Sequence, residues 1–385
     1  MLMLVWTIFQ ILVSSFLWFP LVLLVLSFLR KKQTPLNAGV QELDFAIIVT
    51  AYQQIDLLAD AVYSILKTKY SNFIVYVVAD NCDVSALNFD NQKVVLLRPE
   101  NTLASNVKSH IYAIDRFKRS HDIITIVDSD NLVDANYLHA LNLKFRENFS
   151  AVQGVRTARN LNTFLACLDE AGDMFYRYID RKLLAESGSS ASLAGSGMAF
   201  KSDLYINALK DIETNGAGFD KALQYKLVVG KEKIAFCEDA IVYDAKTAKA
   251  DQLVKQRSRW INTWFKYWKL GVILLFKSII NFNWNQFAFS VMLLRPPLFL
   301  LAFISTIVML LNLFFSPFLL IIWLVSFLCF FAMFYRSLIY FNADNVIYQS
   351  LWSAPKFMFY QMVSLFKARS ANKISVATKH DVSNL

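Results

Sequence analysis

Histidine and cysteine are scarce and dispersed in this chain of 385 residues, which removes several chemistries at once. Cys82, Cys167, Cys237 and Cys329 show none of the paired spacing of a zinc site. They read most simply as reduced, packed thiols in a cytoplasmic setting. His110, His121, His139 and His380 form no cluster, so a histidine-based metal centre or nucleophile has little support. No recognised nucleic-acid-binding motif is present. The formal charge of +9, part of it near the ends of long apolar runs, therefore points to anionic lipid rather than to nucleic acid.

Charge is absent from three long stretches. Residues 2 to 29 carry none, enough to cross a bilayer, and Arg30-Lys31-Lys32 follows at once. A cleaved signal peptide fits less well: the basic cluster comes after the apolar run, the run is too long, and no small-residue cleavage site stands out. Pro297 to Phe315 and Pro317 to Phe334 are also uncharged and meet at Ser316-Pro317, the pattern of a membrane hairpin. Arg336, Lys356, Lys367, Arg369 and Lys373 beyond it suit a cytoplasmic tail, and by the positive-inside rule the middle of the chain is cytoplasmic too. The hydrophobic content of 56% agrees with lipid contact.

Between the apolar runs, strand-like and helix-like patterns alternate. Phe45 to Thr50, Phe73 to Ala79, Val94 to Leu97 and Ile123 to Val127 are β-prone, with helical spacing over Asp56 to Leu66 and Thr102 to Phe117. This order predicts an α/β fold with a mainly parallel sheet, whose ligands bind beyond the carboxyl ends of the strands. The run Ile123 to Val127 ends in Asp128-Ser129-Asp130. In a strand, positions i and i+2 point the same way, so the two carboxylates are expected to converge on a hard cation, Mg²⁺ or Mn²⁺, that also takes substrate phosphates. Aspartates at strand ends also cap backbone groups, and the same alternative holds for Asp80 in Asp-Asn-Cys-Asp.

Further on, Leu193-Ala194-Gly195-Ser196-Gly197 suits either a tight turn or a close backbone approach to a ligand. Asp220 is expected near a helix N-terminus, as a cap or as a carboxylate that accepts a proton from a hydroxyl. Gln256, Arg259 and Trp260 fall at i, i+3 and i+4, on one helical face. Arg259 suits a diphosphate, and Trp260 suits the C–H face of a sugar. Trp260, Trp264 and Trp268, with Lys255, Arg257, Lys266 and Lys269, also read as a cationic amphipathic helix at a membrane surface.

Taken in order, Asp80 in Val-Val-Ala-Asp-Asn-Cys, Asp128-Ser129-Asp130, Asp220 and Gln256-x-x-Arg259-Trp260 resemble the successive motifs of membrane-bound family 2 glycosyltransferases, the group of cellulose, chitin and hyaluronan synthases. The resemblance spans about residues 45 to 265. It implies a GT-A nucleotide-sugar-binding fold with interfacial and transmembrane helices. It also implies a base site at Tyr52 and Asp80, with Lys108 nearby, donor contact from Asp128, metal contact from Asp130 and Asp128, and Asp220 as the base. Gln256 and Trp260 would serve the acceptor or diphosphate. Position 79 is Ala where many members carry Asp, and Gly218-Phe219-Asp220 replaces Thr-Glu-Asp, which makes Glu238-Asp239 a rival base. The implied layout is an N-terminal transmembrane helix (1–33), a cytoplasmic catalytic domain (34–250), amphipathic interfacial helices (251–295), a transmembrane hairpin (296–335) and a juxtamembrane tail (336–385). The implied activity is inverting transfer from a nucleotide sugar, UDP-linked by family habit, to a glycan or lipid-linked acceptor in polysaccharide or cell-surface glycan synthesis. Three spans are few for a polysaccharide channel, so a single addition, a homo-oligomer or an export partner stays open. A non-catalytic assembly or transport subunit and a sugar-phosphate nucleotidyltransferase are the other classes, although Thr50-Ala51-Tyr52-Gln53-Gln54 is not the glycine-rich phosphate loop expected of the latter.

Overall fold

A computed structural model of the chain describes residues 2–30, 41–85, 87–212 and 217–371. Lys31, Lys32, Lys373 and His380 lie outside the described residues. The uncharged opening run forms one helix, α1 (Leu2–Leu29). The βα alternation then appears as β1 (Phe45–Tyr52), α2 (Leu58–Leu66), β2 (Phe73–Asp80), β3 (Val94–Leu97), α3 (Asn106–Ile114) and β4 (Ile123–Asp128). A short β5 (Leu132–Val133), α4 (Tyr137–Arg146) and β6 (Ala151–Ala158) follow. Next, α5 (Phe164–Tyr176) runs without a break through a π-helical stretch, Arg177–Leu183, into α6 (Leu184–Glu186). The domain closes with β7 (Met198–Lys201), α7 (Ser202–Leu209), α8 (Phe219–Val229) and β8 (Ile234–Asp244).

The eight strands form one sheet in the order β3-β2-β1-β4-β7-β6-β8-β5. The β1–β2, β1–β4, β2–β3 and β6–β8 pairings are parallel, and those of β7 with β4 and β6, and of β5 with β8, are antiparallel. Parallel strands must be covered on both sides, and here they are. Val49, Val77 and Val127 pack under α2 and α4, while Ile48, Tyr76 and Ile126 pack under α3, α7 and α8. Tyr52 lies opposite Asp80, and Thr50 opposite Asp128, in register. The carboxyl ends of three adjacent strands thus bring Tyr52, Asp80 and Asp128 to one edge.

Beyond the sheet, α9 (Ala250–Ile280) and α10 (Trp284–Leu294) precede two apolar helices, α11 (Leu298–Phe315) and α12 (Pro317–Tyr340), and then α13 (Asn345–Ser350) and α14 (Ala354–Lys367). Among the described residues, three helices are long and apolar enough to cross a membrane: Met3–Leu29, Leu298–Phe315 and Pro317–Tyr340. Helix α12 runs past Phe334 to Tyr340, so Arg336 lies inside its last turns rather than after it.

Apolar side chains gain little from meeting each other inside lipid, so polar contacts help to fix such a bundle. Gln10 on α1 supplies them. Its Oε1 accepts from Asn312 Nδ2 of α11 at 2.7 Å and from Trp323 Nε1 of α12 at 2.8 Å, and Trp18 Nε1 donates to Ser326 Oγ at 2.9 Å. Below this bundle, Phe175, Tyr178, Ile179 and Leu183 of α5 and its π-helical continuation pack with Leu17, Leu23, Phe330 and Met333. Gln10→Leu would leave the Trp323 indole donor without its acceptor and strip Asn312 of one of two. We expect a loss of about 1–2 kcal/mol, read as a lower midpoint of thermal unfolding in detergent with the protein still folded at 20 °C or so.

Candidate active site

Strand β4 stops at Asp128, and the chain turns at once, with Asn131 N donating to the Asp128 carbonyl at 3.1 Å. Asp130 therefore lies in the turn, and strand alternation does not set its direction as the sequence suggested. The turn brings the pair together all the same. Asp128 is pushed up to about 7, first by burial, then by the negative charge of Asp130, and further by Asp244 and Asp220, with Arg156 opposing. Three other carboxylates and one guanidinium thus act on Asp128, which places Asp220, far off in sequence, in the same pocket. Asp130 Oδ1 accepts from Asn131 Nδ2 at 2.9 Å.

Asp220 is the second residue of α8, at the helix N-terminus. Its carboxylate stands 3.5 Å from Lys221 Nζ. The preceding Gly218 has φ +89, and a Cβ there would meet Thr263 Cγ2 at 2.5 Å and the Tyr267 ring at 2.8 Å. Glycine is needed at this position for two reasons, backbone conformation and the close approach of α9. Asp220 is thereby fixed against the helix that carries Gln256, Arg259 and Trp260.

Asp80 is 2% exposed, and its two oxygens accept from Leu103 N at 2.9 Å and Ala104 N at 2.7 Å. It braces the loop before α3, on whose first turn Lys108 stands exposed. On the other side of Asp128, the glycine-containing turn folds in close: Asp128 N donates to Ser196 Oγ at 3.1 Å. Gly195 has φ +84 and open space where a side chain would stand. Gln153, buried in β6, holds this turn through Ala194 N, the Ser196 carbonyl and the Gly197 carbonyl.

On α9, Gln256 Oε1 accepts from Thr247 Oγ1 at 3.4 Å. Arg259 is partly buried, and burial lowers its guanidinium below the usual range. Trp260 is 39% exposed, with the Arg257 guanidinium over its ring at 4.2 Å, so one face remains for a ligand. Arg257 corrects the sequence reading. It is not part of a lipid-facing cationic stripe but forms an ion pair with the buried Asp169 of α5, and burial together with Arg156 pushes it down to about 9. The rival base Glu238 is held by Lys182 Nζ at 2.5 Å and by the Tyr340 hydroxyl at 2.8 Å, at the junction with α12.

Sequence reasoning missed the layer beneath. Arg156 Nη2 pairs with Asp244 Oδ2 at 3.1 Å. Lys246 Nζ lies 3.2 Å from Glu170, 3.3 Å from Asp244 and in contact with Asp173. Arg177 Nη2 pairs with Glu170 at 2.9 Å and donates to the Arg156 carbonyl. These residues are spread over β6, α5, its π-helical continuation and the end of β8, in no local motif. The usable signal was charge in otherwise apolar helix, at Glu170, Asp173 and Arg177.

Residues 43–263, more than half of the chain, match the model of a family described as "Glycosyltransferase like family 2". The chain is a family 2 glycosyltransferase. A similar solved structure is the mannosyltransferase PcManGT from Pyrobaculum calidifontis in complex with GDP-Man and Mn²⁺, with a TM-score of 0.60 at 13% identity over 93% of this chain and 97% of that one. Residues 1–349 of S. aureus TarS, in complex with UDP-GlcNAc, match with a TM-score of 0.43 at 14% identity, over 60% of this chain and 66% of that one. No curated protein matches. The first likeness shows that this glycosyltransferase has the GT-A fold.

A carboxylate raised by burial weakens the fold once it ionises. In metal-free buffer the unfolded chain releases this proton near pH 4 and the folded protein near 7. Stability is therefore expected to fall as pH rises across that window. Asp128→Asn should flatten that part of the profile in denaturant unfolding measured at several pH values.

Proposed function

We propose that this glycosyltransferase moves a sugar from a nucleoside diphosphate to an acceptor hydroxyl at the cytoplasmic face of a membrane, with inversion at the anomeric carbon. The observation that carries this reading is the shared electrostatics of Asp128 at the sheet edge, Asp130 in the turn after it and Asp220 on α8, whose start packs against the helix of Gln256, Arg259 and Trp260. In this reading α1, α11 and α12 span the bilayer, residues 34–250 form the catalytic domain, and α9 and α10 lie along the interface. The nucleotide base sits by Tyr52 and Asp80, with Lys108 at its rim, and UDP is the expected carrier. The product belongs to polysaccharide or cell-surface glycan synthesis.

The residues fit a divalent cation. Burial, with the negative charge of Asp130 added to it, lifts Asp128 to about 7, and a cation held by the two carboxylates would offset their repulsion. Among the described residues no group of three or more His, Cys, Asp or Glu can hold a metal. Asp130 and Asp128 would thus hold Mg²⁺ or Mn²⁺ with positions left for diphosphate oxygens. When bound, such a cation supplies positive charge to the departing diphosphate. Arg259 adds its own. Asp220 accepts the proton of the acceptor hydroxyl as its oxygen attacks. The new bond forms on the face opposite the leaving group, and the old C–O electron pair leaves with the nucleoside diphosphate. One catalytic carboxylate suffices, and an α-linked donor gives a β-linked product. Glu238, committed to Lys182 and Tyr340, is less suited to the task.

Membranes carrying the protein, given a panel of UDP- and GDP-sugars, should release nucleoside diphosphate rather than pyrophosphate, and a chelator should stop the release. Asp220→Asn should lower turnover about 10²–10⁴-fold with donor affinity largely intact. A fully active variant would remove Asp220 from the mechanism, and no release with any donor would favour an assembly role.

A further inference from the structure

Past the hairpin, α13 and α14 are tied at both ends to the hairpin's open end. Ile347 of α13 packs with Leu338 and Phe334 of α12. Met362 and Leu365 of α14, with Ala368 just after it, pack with Phe299 and Leu300 at the start of α11. The segment is thereby held at the level where one candidate span begins and the other ends. One face of α14 is spent on α9. Phe357 packs with Leu253, the Ser364 carbonyl accepts from Ser258 Oγ at 3.0 Å, and the Ala368 carbonyl accepts from Asn262 Nδ2 at 2.9 Å. The two helices run side by side in the same direction. Ser258 and Asn262 alternate along α9 with Gln256, Arg259 and Trp260, so α14 grips the very turns that carry the motif.

The opposite face is uncovered among the described residues. Trp352, in the turn Leu351–Ser353 that leads into α14, is 91% exposed, Phe359 64% and Phe366 82%. They follow one another at seven-residue spacing, close to two helical turns, and so stand along one line. A single exposed apolar side chain is ordinary on a protein surface, whereas large aromatics in a row mark a contact with another phase or partner. Charge indicates which. Residues 345–371 contain Lys356, Lys367 and Arg369 and no carboxylate. Lys356 lies over the Phe164 ring at 5.1 Å, while Lys367 and Arg369 are exposed close to Phe366 in the chain. A line of aromatics with cations at its rim suits the headgroup layer of an anionic leaflet, and the contacts with α11 and α12 set it at that height.

We propose that α14 is a brace seated on lipid: Trp352, Phe359 and Phe366 enter the upper acyl chains of the cytoplasmic leaflet, Lys367 and Arg369 meet anionic headgroups, and this seat holds α9 in place. A helix lifted from the lipid would slacken the bonds to Ser258 and Asn262, and with them the turns that present Arg259. Transfer would thus depend on the leaflet on which the enzyme rests. The proposal goes beyond the transferase reading and rests on the placing of α11 and α12 in the bilayer.

The test uses the full-length protein in bilayer discs of phosphatidylcholine with phosphatidylglycerol, as wild type, Trp352→Phe, and Phe359→Ser combined with Phe366→Ser. The emission lost in Trp352→Phe reports on Trp352. Bromines near the top of the acyl chains should quench it about 2-fold or more, and iodide in the water hardly at all. The doubly substituted protein should release nucleoside diphosphate about 10-fold more slowly in the discs, with its thermal midpoint in detergent within about 2 °C of wild type. Quenching of Trp352 by iodide but not by bromine would overturn the proposal. Shielding from both would do so too, since a protein would then cover the face. Wild-type turnover by the doubly substituted protein in the discs would remove the brace. If bromines at the bilayer centre fail to quench the tryptophans left in Trp352→Phe, Trp18 and Trp323 on α1 and α12 among them, it is the spanning reading that fails. A wild type that releases nucleoside diphosphate from no donor would sink the transferase reading, and the fluorescence would still decide whether α14 rests on lipid.

Discussion

Lys246 and the carboxylates around it are the constraint on which the site depends. Its ammonium lies within 3.3 Å of both Glu170 and Asp244 and contacts Asp173, in a place almost closed to water. A buried ion cluster of this kind is not a cheap source of stability, and a well-packed apolar substitute is often equal or better. Its value lies in position. Asp244 ends β8, Arg156 sits near the end of β6, and Asp173 and Glu170 belong to α5, so the cluster ties the last parallel strand pair to the helix that packs against the candidate span α12. Remove the central cation, and three carboxylates repel one another within electrostatic reach of Asp128.

That layer also explains why the two halves of the site stay together. Asp128 and Asp130 come from the first βα units, whereas Asp220 and the motif on α9 come from the last quarter of the matched region. Gly218 lets α8 press onto Thr263 and Tyr267. Arg257 pins α9 to Asp169 of α5. The second half is thus clamped to the layer under the first, and Asp220 is kept within electrostatic reach of Asp128.

Much of this was legible in the residues. The runs Phe45 to Thr50 and Ile123 to Val127 are apolar and β-branched because both their faces are covered, and so they announced themselves as parallel strands. Asp220 was expected at a helix N-terminus and is the second residue of α8. The expected helix over Thr102 to Phe117 shrank to Asn106–Ile114, because Asp80 holds the backbone of Leu103 and Ala104 in a loop. The later half was harder to read. Strands β6 and β7 pair across distant sequence, and β8 carries a register shift where Gly154 of β6 leaves no room for a side chain against the Ala240 carbonyl. Arg257 was misread because a charged residue beside three tryptophans looks superficial until its buried partner is known. Asp169 is 88 residues away.

Gln10 has a consequence for how the molecule is assembled. Its partners, Asn312 and Trp323, lie 302 and 313 residues further along the chain. During synthesis the first helix is complete, with its amide oxygen unanswered, before any strand of the sheet has been made. Only when the hairpin arrives does that oxygen find its indole and its carboxamide. The three-helix contact therefore cannot close before Trp323 has been made, and a ribosome product cut short ahead of the hairpin would carry a first helix whose amide oxygen has no partner.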